Sequence, residues 1–131
     1  MNRKKFREAV VFIIEGFKYN YTVKPFKIRV SSNLKEREIA IHGAWCNEDR
    51  ILNVEYDEKL TFDKLFYILL HEFTHIVLDE ETDYYENNTD MIEDLPINSE
   101  EKDILFDELI HDNKFYEAYK YLNNNLKSRF D

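Results

Sequence analysis

Two histidines and a glutamate lie within five residues in the segment His71-Glu72-Phe73-Thr74-His75. On a helix, residues four apart lie one turn apart on the same face, so His71 and His75 can direct their imidazoles at one metal ion. A catalytic zinc site has three protein ligands and an open position for water. Glu72 is offset about a quarter turn from His71, so it can reach that water as a general base without binding the metal.

The alternative interpretation is that both histidines are neutral core residues with ordinary hydrogen-bond partners. Their surroundings favour a metal. Two imidazoles and a carboxylate on one strongly apolar helix are costly to bury, and a divalent cation compensates that cost. The pattern therefore predicts a zinc site to which His71 and His75 contribute two ligands.

The segment 60–79 is predicted to form the helix that this geometry requires. Thr61 is a suitable N-cap, Asp63 places a negative charge in the first turn, and Leu60 and Leu65 fit a hydrophobic staple. Apolar residues cover almost the whole circumference, which is typical of a helix buried on most sides. They are Leu65, Phe66, Ile68, Leu69, Leu70, Phe73, Ile76, Val77 and Leu78.

The third metal ligand has to come from an element packed beside this helix, and the next helix is the natural source. Glu101 is the leading candidate, because it lies in the first turn of that helix and one turn before Leu105. Four alternatives remain open: Glu93, Glu100, Glu108 and His111. Asp112 could orient a histidine ligand. The candidates for stabilising an oxyanion are Tyr84, Tyr85, His111 and Tyr116.

Hydrophobic periodicity and turn residues predict an α+β fold with the order α-β-β-β-α-α-α. The first helix carries Phe6, Val10, Ile13, Ile14 and Phe17 at helical spacing. A short polar turn joins the last two strands, so the small three-stranded sheet is expected to be mostly antiparallel, and strand 50–56 or its hairpin partner is expected at the edge. Ser99 is the predicted N-cap of the helix after the motif helix. The predicted elements are a helix at 3–19, strands at 21–30, 38–46 and 50–56, and helices at 60–79, 99–110 and 113–126.

Length and composition limit the possible classes of protein. A chain of 131 residues with 44% hydrophobic residues is expected to form one domain, 1–131, with a real core. The net charge of −9 and the lack of a basic stripe argue against nucleic acid as the main partner. Cys46 is the sole cysteine, which excludes an internal disulfide and fits a reducing cytoplasm. No stretch is long enough to predict a membrane span.

With His71, Glu72 and His75 in a chain of this layout, the sequence resembles two families of minimal HExxH zincins. The ImmA/IrrE-type peptidases are the first choice, and the resemblance implies a third ligand from a glutamate that opens the next helix, here Glu101. Lys102 and Asp103 depart from the residues usual after that glutamate. SprT-like peptidases are the second choice, and there the resemblance implies a later histidine, here His111.

The expected function is that of a zinc-dependent endopeptidase, with Glu72 as general base and an intracellular protein or peptide as substrate. The ImmA/IrrE resemblance implies a phage or mobile-element setting and a repressor or similar regulator as the substrate. A monomer is expected. The alternative is a non-catalytic binding or inhibitor protein on a zincin scaffold.

Overall fold

The fold is known from a computed structural model that describes residues 1–32, 43–46, 49–81, 91–127 and 130. It is α+β, with an N-terminal helix, a three-stranded mixed sheet and C-terminal helices, which confirms the predicted fold class. Among the described residues, no helix is long and apolar enough to cross a membrane. The elements are α1 (Arg3–Asn20), β1 (Lys27–Ser31), β2 (Gly43–Cys46), β3 (Ile51–Glu55), α2 (Phe62–Glu81), α3 (Ser99–Ile110) and α4 (Asn113–Leu126).

Helix α1 supplies one side of the hydrophobic core. Asn2 caps it, since its side chain accepts a hydrogen bond from the backbone N–H of Lys5. The five apolar residues that were predicted from helical spacing are all buried: Phe6, Val10, Ile13, Ile14 and Phe17. Phe17 contacts Phe66 and Phe73 of α2 through their rings, so aromatic packing joins the two helices.

Strand β3 lies in the middle of the sheet, between β1 and β2. The β2–β3 pair is antiparallel, as the hairpin prediction requires, whereas β1 runs parallel to β3. The sheet is therefore mixed, and only one of its two pairings has the antiparallel sense that we expected to dominate. The expectation that residues 50–56 could form the edge is also corrected. Of the described strands, β1 and β2 are the outer ones and β3 lies between them, so the outer strand is β2, the hairpin partner of residues 50–56.

Helix α2 is the central element of the core. The Thr61 hydroxyl accepts a hydrogen bond from the backbone N–H of Lys64, which confirms the predicted cap. The staple residues Leu60 and Leu65 are both buried. The core-facing residues Leu65, Phe66, Leu69, Leu70, Phe73 and Ile76 have no exposed surface. Burial on most sides fixes the rotation of α2 about its axis, and with it the direction of the motif side chains.

The two C-terminal helices have the predicted bounds, but the cap of α3 differs from the prediction. Asn98, not Ser99, is its N-cap, and the Asn98 side chain accepts the backbone N–H of Glu101. Asp112 caps α4 in the same way by accepting the N–H of Phe115. Helix α4 packs along α2 and buries Phe115, Leu122 and Leu126. This packing brings the junction between α3 and α4 to the motif face of α2.

Candidate metal centre

Three histidines converge where α2 meets the junction of α3 and α4. His71 and His75 are one turn apart on α2, with ring centroids 5.0 Å apart. The His111 ring lies 5.1 Å from each of them. Each ring has one nitrogen that lies within 4.8 Å of a nitrogen of both other rings. The three histidines could therefore hold a metal ion.

The separation of two of these nitrogens fits a tetrahedral site. Nε2 of His71 lies 3.2 Å from Nε2 of His111. Two nitrogens bound to zinc at about 2.0–2.1 Å in a tetrahedral arrangement are about 3.3–3.4 Å apart. In the metal-free protein one of the two nitrogens has to carry a proton, because two facing lone pairs repel. The two nitrogens can therefore give up the hydrogen bond between them and bind a metal ion with little movement of the rings.

The carboxylates proposed as third ligand lie elsewhere. Glu101, the leading candidate, is exposed, and its carboxylate accepts a hydrogen bond from the Asn98 side-chain amide. Glu93, Glu100 and Glu108 are exposed as well. Among the described residues, the group that joins His71 and His75 at ligand distance is His111, one of the alternatives that the sequence left open. The structure thus does not bring Glu101 to the histidines.

His111 is held at the boundary of two helices. It is the C-cap of α3, its backbone N–H donates to the carbonyl of Asp107, and the Asp112 that follows it is the N-cap of α4. A carboxylate oxygen of Asp107 lies 3.4 Å from Nδ1 of His111. Such a neighbour favours the tautomer with a proton on Nδ1 and a free lone pair on Nε2. Asp107 therefore has the orienting position that we expected of Asp112, whose side chain caps α4 instead.

Phe115 packs against all three imidazoles, although it was not among the predicted site residues. Its ring centroid lies 4.9 Å from that of His71, 4.6 Å from His75 and 5.1 Å from His111, and the side chain is 1% exposed. The phenyl ring closes one side of the cluster to water. A signal was present in the sequence, because Asp107, His111 and Phe115 follow one another at intervals of four residues.

Both motif histidines are neutral near pH 7. Burial, and secondarily the neighbouring His111, lower the pKa of His71. Burial, with smaller contributions from His71 and His111, lowers the pKa of His75 to about 3. A metal ion binds the neutral form of imidazole, so neither ring has to lose its charge first, although a ring whose ligating nitrogen carries the proton has to change tautomer.

Glu72 follows His71 on α2 and is only 8% exposed. Burial raises its pKa from 4.5 to about 7, although a hydrogen bond from the backbone N–H of Trp45 acts in the opposite direction. Trp45 belongs to β2, so this bond joins the motif helix to the outer strand. A carboxyl group with a pKa near neutrality can both accept and donate a proton under ordinary conditions, as the predicted role of Glu72 requires.

The remaining predicted residues are not brought to the cluster by the described part of the chain. Tyr84 and Tyr85 lie outside the described residues, and Tyr116 is 60% exposed. Tyr119, which was not among the predicted oxyanion-stabilising residues, has its ring centroid 6.5 Å from that of His71. Burial, and secondarily Tyr67, raise the pKa of its hydroxyl.

Comparisons of the chain with protein-family models, curated proteins and solved structures find no match. What the site can do is therefore argued from the residues that form it.

Proposed function

We propose that this chain is a zinc-dependent peptidase that hydrolyses a peptide bond of a protein substrate. One observation carries the proposal: three imidazoles converge at ligand distance, and the buried carboxyl group of Glu72 follows the first of them on the same helix. Three nitrogen ligands match the number that a catalytic zinc receives from its protein. Zinc is favoured because the described cluster contains only imidazole donors, which zinc accepts in a tetrahedral arrangement.

The positions of the side chains indicate the role of each residue. His71, His75 and His111 would hold the ion. When bound, zinc acts as a Lewis acid and lowers the pKa of water toward neutrality. Glu72 takes a proton from the attacking water on its carboxylate and gives it to the departing amine, and the Trp45 N–H orients that carboxylate. Phe115 excludes water from one side of the site and holds the imidazoles in place.

The outer position of β2 supports a peptide as the substrate. In the described sheet, β2 pairs with β3 on one side, and its other side carries no described strand. An extended peptide can add to such an edge through backbone hydrogen bonds to groups other than the Trp45 N–H, which donates to Glu72. The edge lies next to the catalytic carboxyl group, because Trp45 of β2 contacts Glu72. A bound segment would thus run past the metal site.

Of the two resemblances, the third imidazole agrees with the site that the SprT-like resemblance implies. The ImmA/IrrE resemblance implies a glutamate, and Glu101 is not close to the histidines. We therefore propose a three-histidine site, and we retain an intracellular protein as the substrate and the cytoplasm as the setting. The sole cysteine agrees with a reducing compartment.

The test combines metal content with cleavage. Protein purified without an affinity tag is expected to contain one zinc per chain by elemental analysis. Incubation with a proteome-derived peptide library, read by mass spectrometry, is expected to reveal cleavage that Glu72→Gln abolishes while retaining zinc. Glu101→Gln is the matched control, because it removes an exposed carboxylate of the same size and should cleave normally. A Glu72→Gln protein as active as the parent would exclude the general-base role.

Metal content also separates the alternatives. A binding protein on a zincin scaffold would retain zinc and give no cleavage with either glutamate variant. A chain in which the three histidines are ordinary core residues would contain no stoichiometric metal.

A further inference from the structure

Gly43 of β2 lies against the side chain of Glu72. It is buried, and a Cβ atom built on it would lie 3.2 Å from Cγ of Glu72 and 3.4 Å from Cγ2 of Ile68. Carbon atoms in good contact are about 3.5–4.0 Å apart. Any side chain at this position would therefore push against the stem of the glutamate.

The backbone conformation does not explain a glycine here. Among the described residues no glycine has a positive φ, so position 43 adopts a conformation that alanine could also adopt. A glycine inside a strand is unfavourable compared with alanine, because it loses more conformational freedom on folding. The structural reason that remains is space, and the atom that uses this space belongs to Glu72.

Two residues later, the same strand binds the other end of that side chain. The backbone N–H of Trp45 donates to the Glu72 carboxylate. Trp45 and Gly43 are two apart, so their backbone N–H groups and side-chain positions have the same orientation in the strand. Strand β2 thus leaves room for the stem of Glu72 at position 43 and holds its carboxylate at position 45.

We infer that Gly43 is a positioning residue for Glu72, and that it acts by leaving the space through which the glutamate reaches the Trp45 N–H. The inference deepens the proposed function and depends on it for its catalytic consequence. Its structural content is independent of catalysis. Replacing Gly43 with alanine displaces Cγ of Glu72 by a few tenths of an ångström and lengthens or breaks the bond to Trp45.

The first test follows the Trp45 amide in ¹⁵N-labelled metal-free protein by NMR. Gly43→Ala is expected to move the Trp45 backbone amide resonance and to accelerate its hydrogen exchange, both toward the values of Glu72→Ala, which lacks the acceptor altogether. Ala44→Ser is the matched control for hydrogen exchange, because the neighbouring position faces the opposite side of the strand, and its Trp45 amide should keep the protection from exchange that the parent has. A Trp45 amide unaffected by Gly43→Ala would overturn the inference.

Urea denaturation provides a second test, which can still be performed if Gly43→Ala folds poorly. In the parent, the substitution is expected to lower the urea midpoint. In a Glu72→Ala background, where the colliding atom is gone, it is expected to leave the midpoint unchanged or raise it, because alanine restricts the unfolded chain. Equal losses in both backgrounds would show that Gly43 does not act through Glu72.

Cleavage of the peptide library gives the catalytic consequence. Gly43→Ala is expected to reduce kcat by about tenfold to a hundredfold with KM and zinc content unchanged, since small displacements of a catalytic group carry costs of this size. In a Glu72→Gln background, Gly43→Ala should cause no further loss of cleavage. If the Trp45 amide responds as expected but Glu72→Gln cleaves normally, the positioning role stands and the proposed function fails.

Discussion

The raised pKa of Glu72 makes a quantitative prediction about the metal-free protein. The unfolded chain releases the Glu72 proton near pH 4.5, whereas the folded protein keeps it until about pH 7. Between these values the folded state binds more protons than the unfolded state, so this group lowers stability as the pH rises through the window. The effect is absent below about pH 4.5 and complete above about pH 7.

The size of the effect follows from the shift. A difference of about 2.5 units, from 4.5 to about 7, corresponds to about 3 kcal/mol at 1.36 kcal/mol per unit. Glutamine at position 72 does not titrate. The free energy of unfolding of Glu72→Gln, minus that of the parent, should therefore increase by about 3 kcal/mol between pH 4 and pH 8.

The lowered pKa of His75 acts in the opposite direction and has to be separated. Its proton is retained by the unfolded chain up to pH 6.5 and lost by the folded protein above about pH 3, so its contribution to stability increases through that window. Both proteins contain His75, and its pKa is lowered by burial and by the two neighbouring histidines, not by Glu72. The His75 contribution therefore cancels in the difference between variant and parent.

The assay is urea denaturation in the presence of a chelator at half-unit intervals of pH. Glu117→Gln is a suitable control, because it removes an exposed carboxylate from α4 and its curve should stay parallel to that of the parent. If Glu72→Gln also stayed parallel to the parent within about 0.5 kcal/mol, burial of a protonated Glu72 would be refuted.

Four further predictions concern the metal. His111→Ala should weaken zinc binding by about a hundredfold or more in calorimetric titration, whereas Glu101→Ala should bind zinc as the parent does; the reverse order would restore Glu101 as the ligand. Zinc at about a thousand times its Kd should stabilise the parent by about 4 kcal/mol in thermal unfolding and should lose this effect on chelation, so an unchanged Tm would argue against specific binding. Phe115→Ala should lower the free energy of unfolding by about 3–5 kcal/mol in urea and should also weaken zinc binding, and a stability near that of the parent would show that the ring is dispensable. Asp107→Asn should reduce zinc affinity by about tenfold at most, because its carboxylate is largely exposed, while complete loss of binding would mark it as a ligand.

The parts of the fold that were predicted correctly are those with a strong local signal. The five buried residues of α1 follow from helical spacing, and the bounds of α3 and α4 follow from hydrophobic periodicity, although the N-cap of α3 is Asn98 and not the predicted Ser99. The parallel pairing of β1 with β3 has no local signal, because strand order depends on where the connections pass in three dimensions. Residues 33–42, which include part of the predicted middle strand, lie outside the described residues.

The candidate site likewise has one part with a strong local sequence signal and one part without it. His71, Glu72 and His75 belong to one helix, so their spacing specifies their geometry. The third imidazole comes from another element, and a choice between Glu101 and His111 requires knowing which end of α3 meets α2. The packing of α4 determines this, since Phe115 is buried against the motif helix and fixes the residues just before it. Glu101, at the other end of α3, is engaged with Asn98 at the surface.

The distance along the chain between the histidines sets the order in which the site can form during synthesis. His71 and His75 leave the ribosome 40 and 36 residues before His111 does. The third imidazole reaches them only after α4 has docked on α2 and placed Phe115 beneath the rings. Before that, a nascent chain has at most a two-histidine site of low affinity. Tight metal uptake would therefore report that α4 has been made and has folded.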